Sequence, residues 1–234
     1  MKPLLSIKKI SKKFGVKTVL ENLSLDIYEG EILGLIGRSG CGKSTLIKIL
    51  VGYYTPDSGN VIFKQKDITS NFNEVKEIVG YTTQDNSFYD MLTIYENMKY
   101  YANLYNIPLR KRKERINGLL KGVNLYSSRD TVAKDISGGM KRRLDFAVSL
   151  LHNPKLVILD EPTAGLDPIL IENFWKIVTN IAKKRKIAVL VSSHLLSEIE
   201  DYCTKAAVMA DKKIKKMIRI SKRTDLQKEF KKLT

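Results

Sequence analysis

Cysteine is scarce: the 234 residues hold two, Cys41 and Cys203, with neither a paired framework nor metal-ligand spacing. A structural disulfide and a zinc site are therefore not expected, and the composition suits a reducing interior. No apolar run approaches the roughly 18 to 20 residues needed to cross a bilayer. The first ten residues are too polar, and too short in their apolar part, for a secretory signal. Acidic residues fall well short of basic ones, 25 against 41, which leaves a formal charge of +16. That balance suits contact with something anionic, and nucleotide, nucleic acid and acidic lipid all qualify. Internal repeats and low-complexity linkers are also missing. Residues 1–234 are accordingly expected to form a single composite domain, with an apolar fraction of 43% that fills a sizeable core.

What is present begins with short strands at 4–10, 19–27, 32–36 and 61–66, separated by Gly15, Glu29-Gly30 and the turn Pro56-Asp57-Ser58-Gly59. One helix interrupts them at about 43–51. From Thr93 to Leu151 the pattern turns helical, with Thr93 and Glu96 as a capping box and Pro108 where a first helical turn tolerates it. This stretch, about 86–152, reads as an inserted helical subdomain. Within it Met140, Leu144, Ala147, Val148 and Leu151 keep helical spacing with Lys141, Arg142 and Arg143 off that face, which predicts a core stripe. Strands return at 156–159, 187–191 and 206–209, alternating with helices at 168–183 and 195–202. That order makes a parallel sheet with crossover helices.

The chemistry starts at Gly37-Arg38-Ser39-Gly40-Cys41-Gly42-Lys43-Ser44, which fits the phosphate-loop pattern G-x-x-x-x-G-K-[ST] and lies between a strand and a helix. Its glycines let successive backbone N–H groups face a β-phosphate, and the helix start adds favourable partial charge. Lys43 is expected to reach the β- and γ-phosphates and Ser44 to bind Mg2+. Thr45 is counted with the same nucleotide-binding set. Cys41 fits there as a small residue with no catalytic role. The run Leu156-Val157-Ile158-Leu159-Asp160 has the form of a buried parallel strand ending in a carboxylate, so Asp160 is expected to hold Mg2+ through water. Glu161 follows at once, where a carboxylate can polarise the water that attacks the γ-phosphate.

Further motifs narrow the family. Ile136-Ser137-Gly138-Gly139-Met140 resembles the LSGGQ signature of ABC ATPases, and it is joined in that family's order by four more features. These are Phe14, Gln84 after a strand at 78–82, Glu161-Pro162-Thr163-Ala164-Gly165-Leu166-Asp167-Pro168, and Ser193-His194. The resemblance implies an α/β fold: a P-loop NTPase (RecA-like) core with a parallel sheet, an N-terminal antiparallel β subdomain and the inserted α-helical subdomain. It implies ATP and Mg2+ as cofactors. Phe14 would stack on adenine, Gln84 would touch Mg2+ and sense a membrane partner, and His194 would contact the γ-phosphate. Ser137, Gly138 and Gly139 would meet the γ-phosphate held by a second, head-to-tail subunit, and Asp167 would join the nucleotide-binding set. Lys43, Gln84, Glu161 and His194 form the implied catalytic group.

The wording Ser137-Gly138-Gly139-Met140-Lys141-Arg142-Arg143-Leu144 resembles ATPase subunits of bacterial and archaeal multidrug/ABC-2-type exporters, as does Gly80-Tyr81-Thr82-Thr83-Gln84-Asp85. Ser39-Gly40-Cys41 is worded as in importers instead. The implied partners are a transmembrane permease and a second ATPase subunit, in a homodimer held on the inner face of the cell membrane from the cytoplasm. A soluble ABC ATPase acting on nucleic acid or the ribosome is the alternative, but neither a long heptad arm nor a cysteine-rich insertion is present for it. After Asp211 the chain lacks the glycine usual in the family's hairpin, and the 211–234 tail carries a local charge of +7 that fits either anionic lipid or a solvated face.

Overall fold

The computed structural model describes residues 2–221 and 223–233, apart from the Phe72 side chain. Met1, Lys222 and Thr234, which belong to the expected domain and tail, lie outside the described residues. Two sheets organise the chain. In the first, β1 (Leu5–Phe14) pairs antiparallel with β2 (Lys17–Ile27) and with β4 (Ser58–Phe63), and β5 (Lys66–Asp67) extends it, in the order β2-β1-β4-β5. The second contains β3 (Ile32–Ile36), β6 (Val79–Thr82), β7 (Leu156–Asp160), β8 (Ala188–Ser192), β9 (Lys205–Ala210) and β10 (Lys213–Arg219), in the order β10-β9-β3-β8-β7-β6. Its neighbours are parallel except β10, which runs antiparallel to β9.

The parallel strands are apolar runs because both of their faces are covered. Side chains alternate with period two, so Leu33, Leu35, Leu156, Ile158 and Leu190 join the first sheet and α1 (Lys43–Leu50) in one core. Ile32, Ile36, Val157, Leu159, Val189 and Val191 face the opposite core. That second core is filled by α3 (Ile94–Leu104), α4 (Leu109–Gly122), α5 (Gly138–Ser149), α6 (Pro168–Arg185) and α7 (Leu196–Tyr202). Every parallel strand therefore delivers its carboxyl end to one edge, the crevice where such sheets bind ligands.

Several expected boundaries move. β1 runs on to Phe14, and β4 covers Ser58–Phe63 rather than 61–66 because the chain turns at Lys64 and Gln65, both with positive φ. The capping box at Thr93 and Glu96 is present, while Pro108 sits at the N-cap of α4. The stretch from Thr93 to Leu151 holds three α-helices and two short 3-10 turns. On α5 the expected stripe is exceeded: from Leu144 onward every residue is buried, including Asp145 and Ser149, since α3, α4, α6 and β6 all pack on this helix. The Met140 end is only partly buried.

The helix α2 (Phe72–Ile78), capped by Asn71, was not expected. Nor were the tail elements β10 and α8 (Leu226–Leu233). The hairpin after β9 turns without glycine through Asp211 (φ 46°) and Lys212 (φ 68°), a left-handed pair that fits the twist of the strands it joins. α8 buries Leu226 and packs Phe230 and Leu233 on the core, leaving Lys228, Lys231 and Lys232 outside.

Below β6, the His152 ring stacks on Tyr105 with centroids 4.3 Å apart, and its Nε2 lies 3.1 Å from the Val79 carbonyl. Burial pushes this imidazole down to about 4, with Arg115 adding to the shift against the Val79 carbonyl. The neutral ring thus stabilises the fold above its unpaired value of 6.5, and that contribution is lost as pH falls from 6.5 toward about 4. Thermal unfolding of the parent should accordingly drop by several degrees across this window, and His152→Phe, which keeps the stack, should flatten the decline. An equal decline in both proteins, followed by calorimetry, would remove His152 as its source.

Candidate functional site

The order of strands dictates which loops meet. β3 releases the phosphate loop, β8 lies beside it and releases His194, β7 comes next with Asp160 and Glu161, and β6 follows with Gln84. The phosphate loop winds into α1 through Gly40 (φ 77°) and Gly42 (φ 111°), conformations a side chain resists. Lys43 is buried, and its ammonium donates to the Gly37 carbonyl at 2.7 Å and the Arg38 carbonyl at 3.3 Å, so it spans the mouth of its own loop. Cys41 is partly buried beside Gly37.

A cleft of about 300 Å3 opens over this loop, lined by Ser39, Gly40, Gly42, Lys43, Ser44 and Thr45. Glu161 and His194 line it from the neighbouring strands. Lys17, Thr18 and Val19 of the β1–β2 hairpin complete it together with Lys212 of the left-handed turn, four residues that sequence reasoning missed. Their signal was positional only: Lys17 pairs with Phe14 across the hairpin.

Glu161 sits at φ 51°, in the left-handed region that costs a non-glycine residue about 1 to 3 kcal/mol. Its N–H donates to both the Ser192 carbonyl and the Ser192 hydroxyl at 3.1 Å, which over-determines this backbone. Its Oε1 lies 2.6 Å from His194 Nε2. The fully buried Ser192 hydroxyl also donates to Asp160 Oδ1, while the Tyr81 hydroxyl reaches Asp160 Oδ2 at 3.4 Å. Burial, and then the Asp160 charge, push the Tyr81 phenol up to about 12, so it stays a donor. Ser192 was another missed residue. Its role depends on the β7–β8 register, Asp160 opposite Ser192, which no local motif reveals.

The remaining expected residues lie outside that cleft. Gln84 is exposed two residues beyond β6, three strands from β3 and hence about 14 Å across the sheet. Phe14 stands at the end of β1, edge-on to Tyr54 with centroids 5.1 Å apart and the Lys12 ammonium 5.6 Å over its face. Ser137 caps α5 by accepting from the Met140 N–H at 3.3 Å. Gly139 packs so closely on Leu170 that an added Cβ would sit 2.9 Å from Leu170 Cδ2, whereas at Gly138 it would lie an ordinary 3.6 Å from Leu166 Cδ2. Asp167 Oδ1 caps α6 by accepting from the Leu170 N–H at 2.9 Å. The start of α5 thus rests on the start of α6, away from the chain's own phosphate loop.

Comparison with known proteins bears on the family and the fold. The family profile described as ABC transporter matches residues 20–164. The uncharacterized ABC transporter ATP-binding protein YdbJ of Bacillus subtilis is 39% identical over 213 residues, 91% of this chain and 68% of that protein. The bacitracin transport ATP-binding protein BcrA of Bacillus licheniformis is 34% identical over 214 residues, 92% of this chain and 69% of its own length. Among solved structures, cbiO1 from Clostridium perfringens, part of the ABC transporter complex cbiONQ, superposes with a TM-score of 0.87 at 26% identity, covering 94% of this chain and 89% of that one.

Proposed function

The chain belongs to the ABC transporter ATPases, the ATP-binding and ATP-hydrolysing subunits of membrane transporters, and from that premise we propose that it acts as one of two copies facing head to tail beneath a transmembrane permease. One observation carries the pairing: the α5 start, with Ser137 and Gly138 exposed, does not line the cleft that holds its own Lys43. A helix start stabilises phosphate most where water is excluded, and a second chain would bring its α5 start to the side of this cleft opposite α1. ATP then bridges the copies, and hydrolysis removes the charge that joined them, so that chemical energy becomes opening and closing.

At one nucleotide, the loop N–H groups and Lys43 hold the phosphates within the cleft, while Phe14 and Asp167, outside it, are assigned to adenine stacking and to the nucleotide-contacting set. Glu161 polarises the attacking water and His194, in contact with it, meets the γ-phosphate. Ser44 and Asp160 offer oxygen atoms and α1 packs against β7, a pair whose chemistry fits Mg2+, whereas Gln84, exposed beyond β6, would have to move toward α1 to join them. Bound there, Mg2+ would offset charge on the phosphates. Gln84 leads into an exposed apolar patch containing Tyr89, Met91 and Tyr100, which supports its reading as a sensor of the permease. Among the described residues no helix is long and apolar enough to cross a membrane, so the spanning part is assigned to that permease at the inner face of the cell membrane. The Ser137–Leu144 wording supports export, and the relative named for bacitracin transport supports a transport role.

Co-purification tests the reading against its nucleic-acid rival. A tagged chain expressed in its native membrane background should retain a multispanning protein, and adding that protein in vesicles should raise ATP hydrolysis several-fold. Duplex DNA or RNA should leave the rate unchanged at physiological salt. Strong stimulation by nucleic acid, falling as salt rises, would overturn the transport reading.

A further inference from the structure

Behind the Glu161–His194 contact lies a buried carboxylate with no place in the chemistry described so far. Glu198 on α7 is 4% exposed. Its Oε1 accepts from the Thr163 hydroxyl at 2.6 Å and its Oε2 from the Ser193 hydroxyl at 3.1 Å. Thr163 and Ser193 are themselves 4% and 5% exposed. Thr163 lies two residues after Glu161, and Ser193 immediately precedes His194. The Ser193 hydroxyl in turn accepts from the Leu195 N–H at 3.0 Å, which fixes the backbone on the far side of His194.

A carboxylate removed from water and held by two neutral hydroxyls is a poor device for stability alone, because its desolvation is only partly offset. Its geometry has another use. One oxygen grips the segment leaving β7, and the other grips the segment leaving β8. These are the two loops whose side chains meet at 2.6 Å over the cleft. α7 holds the carboxylate firmly, since Ile199 beside it packs so tightly on β3 that a Cβ at Gly34 would lie 2.5 Å from Ile199 Cγ2. The same strand leads into the phosphate loop.

We propose that Glu198 is a positioning residue that locks the Glu161 and His194 loops into one rigid unit referenced to the phosphate-loop strand. The proposal rests on the assignment of Glu161 and His194 to the hydrolytic step. A small displacement of either side chain matters there, since reacting groups must be held close to one geometry. Nucleotide affinity, set by the phosphate loop, should be little affected.

The test uses Thr163→Val and Ser193→Ala, which each remove one hydroxyl at nearly constant volume, and the combination of both with and without Glu198→Met. Each single variant should lower kcat about tenfold with KM for ATP within about twofold, the signature of an interaction that matters in the transition state. The double variant leaves a buried charge unpaired and should melt well below the parent. Adding Glu198→Met removes that charge and should recover the Tm but not kcat. In the His194→Ala background, Thr163→Val should have a smaller effect than in the parent, because the locked partner is gone. Parental kcat in both single variants, or recovery of kcat together with Tm in the triple variant, overturns the lock and leaves Glu198 as a structural group. Glu161→Gln and His194→Ala are measured alongside. Normal hydrolysis in those two overturns the assignment beneath the proposal, whereas their loss beside unaffected Thr163→Val and Ser193→Ala overturns the lock alone.

Discussion

Hydrolysis by Glu161→Gln is expected to run about a hundredfold or more below the parent while ATP binding persists. The substitution keeps the side-chain shape and an oxygen that can face His194 Nε2, now 2.6 Å from the carboxylate. It leaves the backbone untouched: φ 51° costs glutamine what it costs glutamate, and the N–H still donates to Ser192. Folding and phosphate binding by Lys43 should therefore be unchanged, and what disappears is the charge able to polarise water. Equilibrium binding of a fluorescent ATP analogue and single-turnover hydrolysis separate the two quantities. Hydrolysis near the parental rate would remove Glu161 from the chemical step.

A second large effect should appear on mixing two inactive variants. Lys43→Ala weakens phosphate binding in its own chain, and Gly138→Asp sets a carboxylate against the γ-phosphate of the partner's ATP. Gly138 is the better choice of glycine, because its Cβ position meets only an ordinary contact with Leu166 whereas Gly139 lies tight against Leu170. An unchanged Tm for Gly138→Asp would show that the lesion does not act through folding. Each homodimer carries two damaged sites. A mixed dimer gathers both lesions in one site and leaves the other with an intact loop and an intact α5 start. Single-turnover hydrolysis should reappear on mixing, from nearly nothing to roughly a quarter of the parental amplitude if the chains pair at random. Pull-down through different tags must first establish that mixed dimers form; mixed dimers that stay silent would rule out a site shared between chains.

The sequence made the nucleotide loop legible because its chemistry is local. Gly37 to Thr45 are consecutive, running from the end of β3 into the first turn of α1, so the motif is complete in one short stretch. Asp160 and Glu161 were legible for a similar reason, since an apolar run ending in acids identifies its own sheet edge. Ser192 and Glu198 were not. Ser192 acquires its partner Asp160 through a register between β7 and β8, and Glu198 meets Thr163 across 35 positions of sequence. Hydroxyls and a carboxylate scattered on helices and strand ends carry no periodic signal of such pairings. α5 was misread in extent because hydropathy spacing reports one face, and the burial of Asp145 under the surrounding elements is offset by Ser87, whose N–H and hydroxyl both donate to it. The tail was obscure because its hairpin turns on Asp211 and Lys212, where glycine was the sign to look for.

The sheet order also governs when the protein can begin to work as it is made. β3, which leads into the phosphate loop, is finished by Ile36, yet its two neighbours in the sheet are β8 and β9, residues Ala188–Ser192 and Lys205–Ala210. A ribosome therefore exports the loop long before it exports the strands that hold it in place. Until residue 192 has emerged, the apolar run Ile32–Ile36 has no ladder to join, and until residue 210 it lacks its second, so the growing chain must carry it exposed or covered by something else. Nucleotide competence arrives late in synthesis, within a short interval, and a chain interrupted before β9 should hold the whole phosphate-binding sequence without the rigidity to use it.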